Sequence, residues 1–280
     1  MLSLEDLVAT YTKVIGAGGF GIVKTGIGDP YENFAVKFLH ASKCSSAKKE
    51  YIVNKFLYSA YEILTRCNPV SGISIVKPYD YVSSKCIVNC NKDTYDCAVI
   101  MERLISPMPD GYAYHLAFNG VISPGQLNKI IYAGDVPRGY FFDPIHTETM
   151  FAGQITLEDI TYRIGILDGI SIFGARMNPI DVEYILTVSE QGLAVTMLDF
   201  GMFGDINLTP TNVKEVAEEI STKQEYNLYY HPYSDAIPQD RRESCRFAYI
   251  KGFTEAFNCF ENDNYRPLYD ALIEIYNMEP

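Results

Sequence analysis

The sequence predicts an α+β protein built as two lobes: an N-terminal lobe with an antiparallel sheet and one helix, and a mainly helical C-terminal lobe. Short apolar strand patterns separated by turns fill residues 12–39, and an apolar run at helical spacing follows them. Near residue 104 an apolar strand runs into a polar linker, and the tail from residue 212 has a helical pattern. We therefore place the N-terminal lobe at 1–104 and the C-terminal lobe at 105–280, together forming one domain.

Length, composition and charge limit the function classes. The chain has 280 residues, 48% of them hydrophobic, so it is long enough to bury a core. Its net charge of -12 argues against a nucleic-acid partner, because phosphate backbones are bound by clustered cations. No apolar run approaches the ~20 residues of a membrane span, and Glu5 and Asp6 stand where a signal peptide carries base. We expect a soluble, intracellular protein with no membrane span.

Seven cysteines, an odd number, are scattered along the chain. Only Cys86, Cys90 and Cys97 are close in sequence, and no histidine near them completes a four-ligand zinc site. We therefore expect free thiols, which suit a reducing compartment.

A glycine-rich turn, Gly16–Gly21, joins predicted strands at Thr12–Ile15 and Gly21–Gly26, and a third strand covers Asn33–Leu39. In a dinucleotide-binding fold the glycine loop leads into a helix. Because a strand pattern follows Gly21, the motif favours a hairpin that covers a nucleotide. A plain flexible hairpin is the alternative.

The residues of this hairpin have specific expected roles. Main-chain amides at Gly16, Gly18 and Gly21 would lie over phosphates, and Val23 would lie over the adenine. Lys37 stands in the third strand, and phosphoryl transfer needs such a lysine on the phosphate oxygens.

A helix is predicted from Ser45 to about Ile63. Its best inward-facing acid is Glu50, and a buried pair with Lys37 would hold the lysine head on the phosphates. Two alternatives stay open. Glu50 could be a first-turn residue favoured by the helix dipole, or Glu62 could pair with the lysine instead.

The apolar run Cys97–Met101 meets the polar segment Glu102–Leu104, which is the pattern of a hinge between two lobes. Backbone groups of Glu102 and Leu104 are candidates for hydrogen bonds to an adenine edge.

Residues 113–150 have the weakest pattern. Ser123–Leu127 is typical of a helix start, and residues 132–142 are aromatic and loop-like. Beyond them, a capping box that opens at Thr156 predicts a helix over Leu157–Ile172.

The stretch around Asp199 organises the second half of the chain. The apolar run Leu193–Leu198 carries this carboxylate into a sharp turn, where it could hold a magnesium ion. A strand at Tyr184–Val188 and a turn at 190–192 precede the run. The alternative is a turn residue that caps local amides.

In their order along the chain, these segments resemble the protein kinase-like superfamily. The resemblance is carried by the glycine-rich strand pair, Lys37, the Met-Glu-Arg-Leu hinge, the segment up to Leu186 and the Leu-Asp-Phe-Gly motif at 198–201. More narrowly, the chain is similar to a fungal family of kinase-like domains of unknown function, in residues 101–104, 181–186, 198–200 and 229–232. The resemblance implies that ATP and Mg²⁺ bind in a cleft between two lobes, with Asp199 as a metal ligand.

The catalytic loop departs from the kinase pattern. Counting back five residues from Glu183 places Asn178 at the catalytic aspartate, and Glu183 itself at the metal-binding asparagine. An amide cannot accept a proton as a carboxylate does, so Asp181 is the substitute base, with local hydrogen bonding of the loop as its alternative role. The Glu183 carboxylate suits Mg²⁺, or it pairs with a nearby cation. No Ala-Pro-Glu motif follows Asp199, which argues against a peptide-docking segment.

The sequence thus leads to an ATP- and Mg²⁺-binding kinase-like protein, most simply an atypical phosphotransferase acting on a protein or small-molecule hydroxyl. Lys37 would bind the α- and β-phosphates, Asp199 and Glu183 would hold metal, and Asn178 or Asp181 would orient the acceptor. The second hypothesis is a pseudokinase, a binding or regulatory scaffold that transfers nothing.

Overall fold

The computed structural model shows a mixed α+β protein, as predicted, and describes residues 3–18, 21–90, 93–109, 113–116, 129–133, 136–142, 144–180, 182–227, 237–260 and 263–277. Its strands are β1 (Lys13–Gly18), β2 (Gly21–Thr25), β3 (Phe34–Leu39), β4 (Ile73–Ile75), β5 (Pro78–Cys90), β6 (Asp93–Glu102), β7 (Tyr114–Leu116), β8 (Lys129–Ala133), β9 (Val136–Phe142), β10 (Met177–Asn178), β11 (Glu183–Ser189), β12 (Gly192–Leu198) and β13 (Gly204–Asp205). Its α-helices are α1 (Leu4–Thr10), α2 (Cys44–Cys67), α3 (Pro144–Met150), α4 (Leu157–Gly169), α5 (Val213–Asn227), α6 (Arg242–Phe260) and α7 (Arg266–Asn277). Within these ranges, no helix is both long enough and apolar enough to cross a membrane.

The N-terminal residues form an antiparallel sheet in the order β1-β2-β3-β6-β5. Its strands match the predicted positions closely, because alternating side chains and turn residues mark them in the sequence. Helix α2 packs against this sheet and continues beyond it into the larger core, through Val53, Leu57, Ala60 and Leu64. The helix therefore bridges the sheet and the rest of the protein.

A second sheet has the order β4-β12-β11-β7-β9-β8 and mixes parallel and antiparallel pairs. Strands β11 and β12 form its central hairpin, and β4 pairs in parallel with β12 although it comes from the first third of the chain. The prediction of an aromatic loop at 132–142 is wrong, since β8 and β9 pair there. The predicted helix start at Ser123–Leu127 lies outside the described residues.

The helices of the C-terminal part surround the main hydrophobic core. The predicted capping box is present at Thr156 and Asp159 and begins α4, which ends in a π-helical turn at Ile170–Gly174. Ile160, Ile164, Leu167 and Ile170, which recur at helical spacing, are all fully buried. Helices α4 and α6 pack closely, with Gly165 and Gly252 at their contact.

The prediction of free thiols is wrong for the cysteines at positions 44, 67, 97 and 259. Cys44 is bonded to Cys97, and Cys67 is bonded to Cys259. The partners lie 53 and 192 residues apart, so local spacing could not reveal either pair. Among the cysteines whose side chains the structure describes, Cys245 is free and buried. Since disulfides persist in oxidising surroundings, the cysteines no longer argue for a reducing compartment.

Candidate functional site

A cleft of about 520 Å³ lies between the N-terminal sheet and the β11–β12 hairpin. Its walls come from β1, β2, β3, α2, β6, β7, β11 and the residues after β12. The predicted site residues among its lining are Gly16, Gly21, Val23, Lys37, Glu50, Glu102, Leu104, Glu183 and Asp199. Residues chosen from separate parts of the sequence therefore line one cavity.

The roof of the cleft is the β1–β2 hairpin. Gly18 pairs with Gly21 at the end of the ladder, and the two residues between them lie outside the described residues. A strand, not a helix, follows Gly21, which excludes the strand–loop–helix arrangement of a dinucleotide site at this motif. Val23 and Lys37 stand opposite each other on β2 and β3, so their side chains share the face towards the cleft.

Lys37 is held by a carboxylate from α2, as predicted. Its Nζ atom donates to both carboxylate oxygens of Glu50, at 2.8 and 2.9 Å. The same Nζ lies 3.8 Å from Oδ1 of Asp199. The Lys37 and Glu50 side chains are each only 13% exposed, so bulk water screens their interaction weakly.

The local charges keep this lysine protonated. Burial alone would lower the pKa of the Lys37 ammonium, but the carboxylates of Glu50, Asp199 and Glu183 offset burial, and the pKa is raised. Burial likewise raises the pKa of the Glu50 carboxyl, against the opposing effect of Lys37. One cation thus faces three acidic groups. A polyanion entering here needs further positive charge, which a divalent cation would supply.

Asp199 occupies a backbone conformation that few non-glycine residues adopt, with φ of 62°. Such conformations cost free energy and concentrate at functional sites. β12 ends at Leu198, directly before this turn, and Leu198 pairs across the hairpin with Glu183. The turn and the hairpin register therefore bring both carboxylates to the same end of the β11–β12 hairpin.

Asp199 and Glu183 suit a magnesium ion that keeps waters and takes phosphate oxygens as its other ligands. The described residues contain no group of three or more histidine, cysteine or acidic side chains placed to hold a metal by themselves. A metal held by Asp199 and Glu183 would need its remaining ligands from water or from a bound group.

Sequence reasoning missed His115. This residue of β7 is 6% exposed and lines the cleft, and its Nδ1 lies 3.5 Å from Oε2 of Glu183. It falls in the stretch where no periodicity marked the strand. Asn54 was also missed. It follows Glu50 by one turn of α2 and lines the cleft, and its buried Oδ1 has no hydrogen-bond partner among the described residues.

Of the two predicted acceptor-orienting residues, Asn178 does not join this group. Asn178 is 5% exposed in β10, pairs with Gly204 of β13, and is not part of the described cleft lining. Within the part of the chain that the structure describes, its Oδ1 has no hydrogen-bond partner. Asp181 lies outside the described residues.

Some main-chain groups of the segment Glu102–Leu104 already form hydrogen bonds within the protein. The Arg103 amide donates to the Asn33 carbonyl oxygen at 3.1 Å, and the Glu102 amide donates to the Lys77 carbonyl oxygen at 2.9 Å. For an adenine edge, the Glu102 carbonyl and the Leu104 amide are the groups to consider.

No model of a known protein family matches the chain, and none of the curated proteins matches it at a significant level. Its chemistry is therefore inferred from the side chains that line the cleft.

Proposed function

We propose that this chain is a two-lobed protein kinase-like domain that binds ATP with Mg²⁺ in the cleft. The observation that carries the proposal is the position of Lys37, with Nζ 2.8 Å from Glu50 and 3.8 Å from Asp199 beneath a glycine-rich hairpin. A backbone flap, a fixed ammonium and a turn-held carboxylate are the parts that phosphoryl transfer requires.

Each part has a defined task. The flap covers the triphosphate with main-chain amides, and Val23 covers the adenine. Lys37 neutralises the α- and β-phosphates and is held in place by Glu50. Asp199 and Glu183 hold the metal, which neutralises charge that develops on the phosphate oxygens when it is bound. The acceptor in this proposal is a hydroxyl of a protein or a small molecule.

A specific observation favours a second candidate, a pseudokinase. By the count from Glu183, an amide, Asn178, takes the place of the catalytic carboxylate, and this residue pairs with Gly204 outside the described cleft lining. Loss of a general base typically slows a reaction by about 10²–10⁴-fold. In this alternative the cleft binds nucleotide and the protein acts as a binding or regulatory scaffold.

Nucleotide binding is tested by calorimetry and by thermal unfolding with and without ATP and Mg²⁺. We expect a ligand-dependent rise in Tm that is lost in Lys37→Ala and Asp199→Ala. Lys48→Ala and Asp205→Ala are the matched controls, because both residues are exposed and lie away from the cleft lining. Equal rises in all four variants would refute the site.

Transfer is tested separately, with radiolabelled ATP and a panel of hydroxyl acceptors, following ADP and phosphorylated product. Turnover that Asp199→Ala abolishes supports the phosphotransferase. Tight ATP binding with no product above the Asp199→Ala background supports the scaffold.

A further inference from the structure

The two halves of α2 are held by very different amounts of packing. Val53, near the middle of α2, and Leu57, Ala60 and Leu64 of its second half belong to the main hydrophobic core. Before Val53, the first half contributes Ala47 to a small cluster whose other buried members are Leu39, Cys97 and Val99, and its partly buried Cys44 and Tyr51 pack against that cluster. Apolar burial therefore fixes the second half of α2 much more firmly than the first.

The side of α2 that faces away from the sheet is exposed to solvent around residues 52–56. Ile52 is 44% exposed and Phe56 is 58% exposed. The first half is held besides by the Glu50–Lys37 pair, by the Tyr51 ring stacked on that of Tyr81, and by single hydrogen bonds. Lys49 donates to the Phe203 carbonyl oxygen at 2.8 Å, and the Tyr81 hydroxyl donates to the Cys44 carbonyl oxygen at 3.2 Å. Contacts of this kind contribute about 0.5–1.5 kcal/mol each, so they are weak restraints compared with a buried core.

Both terminal residues of α2 are disulfide-bonded. Cys44, the first residue, is bonded to Cys97 of β6, and Cys67, the last residue, is bonded to Cys259 of α6. Glu50 lies less than two helical turns from Cys44. The first disulfide is thus the covalent restraint on the weakly packed half of the helix, which is also the half that carries the partner of Lys37.

We propose that the Cys44–Cys97 disulfide is a redox modification site that controls the Lys37–Glu50 pair and, through it, nucleotide binding in the cleft. The nucleotide part of this inference rests on the proposed function. In the oxidised protein the disulfide holds the first half of α2 on the sheet. In the reduced protein that half leaves the sheet part of the time, and Glu50 leaves Lys37 with it.

The redox step balances with a dithiol as reductant. A thiolate of the dithiol attacks Sγ of Cys44, which is partly exposed, whereas Cys97 is fully buried. The S–S bond breaks, and Cys97 leaves as a thiolate that takes up a proton. The second thiol of the dithiol attacks the mixed disulfide and releases Cys44 as a thiol. The protein gains two electrons and two protons, and the dithiol becomes a disulfide.

Weaker nucleotide binding follows from population arithmetic. ATP binds the form in which Glu50 holds Lys37. Its apparent affinity is therefore the intrinsic affinity multiplied by the fraction of molecules in that form. The Cys67–Cys259 bond is not expected to act in this way, because its end of the helix is already in the main core. The second disulfide is therefore a built-in control on the same helix.

The experiment measures ATP–Mg²⁺ affinity, oxidised and after reduction with dithiothreitol, for wild type, C44A/C97A and C67A/C259A. Oxidised C67A/C259A should bind ATP–Mg²⁺ with the same affinity as oxidised wild type. On reduction its affinity should fall at least about tenfold, which corresponds to about one binding-competent molecule in ten. C44A/C97A should bind at the reduced level under both conditions. The inference is overturned if C44A/C97A binds as tightly as oxidised wild type, or if reduction leaves C67A/C259A unchanged.

Amide hydrogen exchange gives a readout that needs neither nucleotide nor substitution. On reduction of wild type, the amides of residues 44–52 should exchange faster, while those of residues 57–64 should change little. Unchanged exchange at residues 44–52 overturns the inference. If the amides of residues 44–52 exchange faster on reduction but oxidised wild type binds no ATP, the proposed function fails, while redox control of the helix stands.

Discussion

The Nζ atom of Lys37 and the Oδ1 atom of Asp199 lie 3.8 Å apart, although β3 and the end of β12 belong to different sheets. Glu50, from α2, holds the other side of the same ammonium. Three elements therefore meet at one cation, and their relative positions depend on its charge.

Removal of Glu50 is expected to lower the free energy of unfolding and to release Lys37 from α2 at the cleft. Glu50→Ala removes the nearest carboxylate of a buried ammonium and leaves Asp199 and Glu183 as its acidic neighbours, and breaking a buried pair in this way costs about 3–5 kcal/mol. The double variant K37M/E50A removes both charges, so its loss should be smaller than the sum of the two single losses. Urea unfolding of wild type, K37M, E50A and K37M/E50A gives the four free energies of unfolding from which this coupling is calculated. Strict additivity would show that the two side chains do not stabilise each other.

The glycines of the hairpin are predicted to differ in their tolerance of a side chain. A Cβ added at Gly21 would lie 2.1 Å from the Phe38 carbonyl oxygen on β3, whereas one added at Gly16 would meet only Val23, at 3.8 Å. Gly21→Ala should cost about 1–3 kcal/mol or more by overpacking. Gly16→Ala, the matched control, should change stability by less than about 0.5 kcal/mol. Thermal unfolding without ligand tests this contrast, and equal effects would contradict it.

The elements that the sequence predicted well are those with local signals. Turn residues and alternating side chains marked β1–β3, and the spacing of apolar positions marked α2 and its inward acid, Glu50. The Lys37–Glu50 pair followed because both residues lie on strongly patterned elements. The convergence of Lys37 and Asp199 followed only from the order of motifs, since no local pattern reports a contact between sheets.

The parts that escaped prediction depend on distant partners. His115 sits on a three-residue strand whose neighbours in the sheet come from β9 and β11, so its own sequence carries too few residues to show alternation. The disulfides join cysteines far apart in sequence. Asn178 was placed by counting from Glu183, but it pairs with β13, a strand that the count could not include.

The contact between α4 and α6 should be intolerant of even a methyl group. A Cβ at Gly165 would lie 2.2 Å from the Tyr249 carbonyl oxygen, and a Cβ at Gly252 would lie 2.1 Å from that of Tyr162. Because both obstacles are helix backbone, the helices must separate, and each Gly→Ala change should cost about 3 kcal/mol, the upper part of the overpacking range. Gly204→Ala is the control, since its Cβ would meet only Ile180, at 3.7 Å. Near-native stability of Gly165→Ala would contradict this packing.

A buried acid lies behind the cleft hairpin. Asp168 of α4 is fully buried, and its carboxylate accepts hydrogen bonds from the hydroxyls of Tyr184 and Tyr249, the latter at 2.7 Å. Burial raises the pKa of the Asp168 carboxyl to about 7, although the two hydroxyl donors oppose the shift. The folded protein therefore holds this proton more tightly than the unfolded chain does.

The sign of the resulting pH dependence follows from that difference. The contribution of Asp168 to stability is fully present below the unfolded pKa of about 3.9 and is lost as pH rises towards 7, by up to about 1.4 kcal/mol per pH unit. We therefore expect that, as pH rises from 5 to 8, the free energy of unfolding of Asp168→Asn increases by about 2–3 kcal/mol relative to that of wild type, with most of the change below pH 7. Urea unfolding at each pH measures this difference. Glu190→Gln, which makes the same acid-to-amide change in the exposed β11–β12 turn, is the matched control. A profile of Asp168→Asn that runs parallel to wild type would show that this carboxyl is already ionised in the core at pH 5.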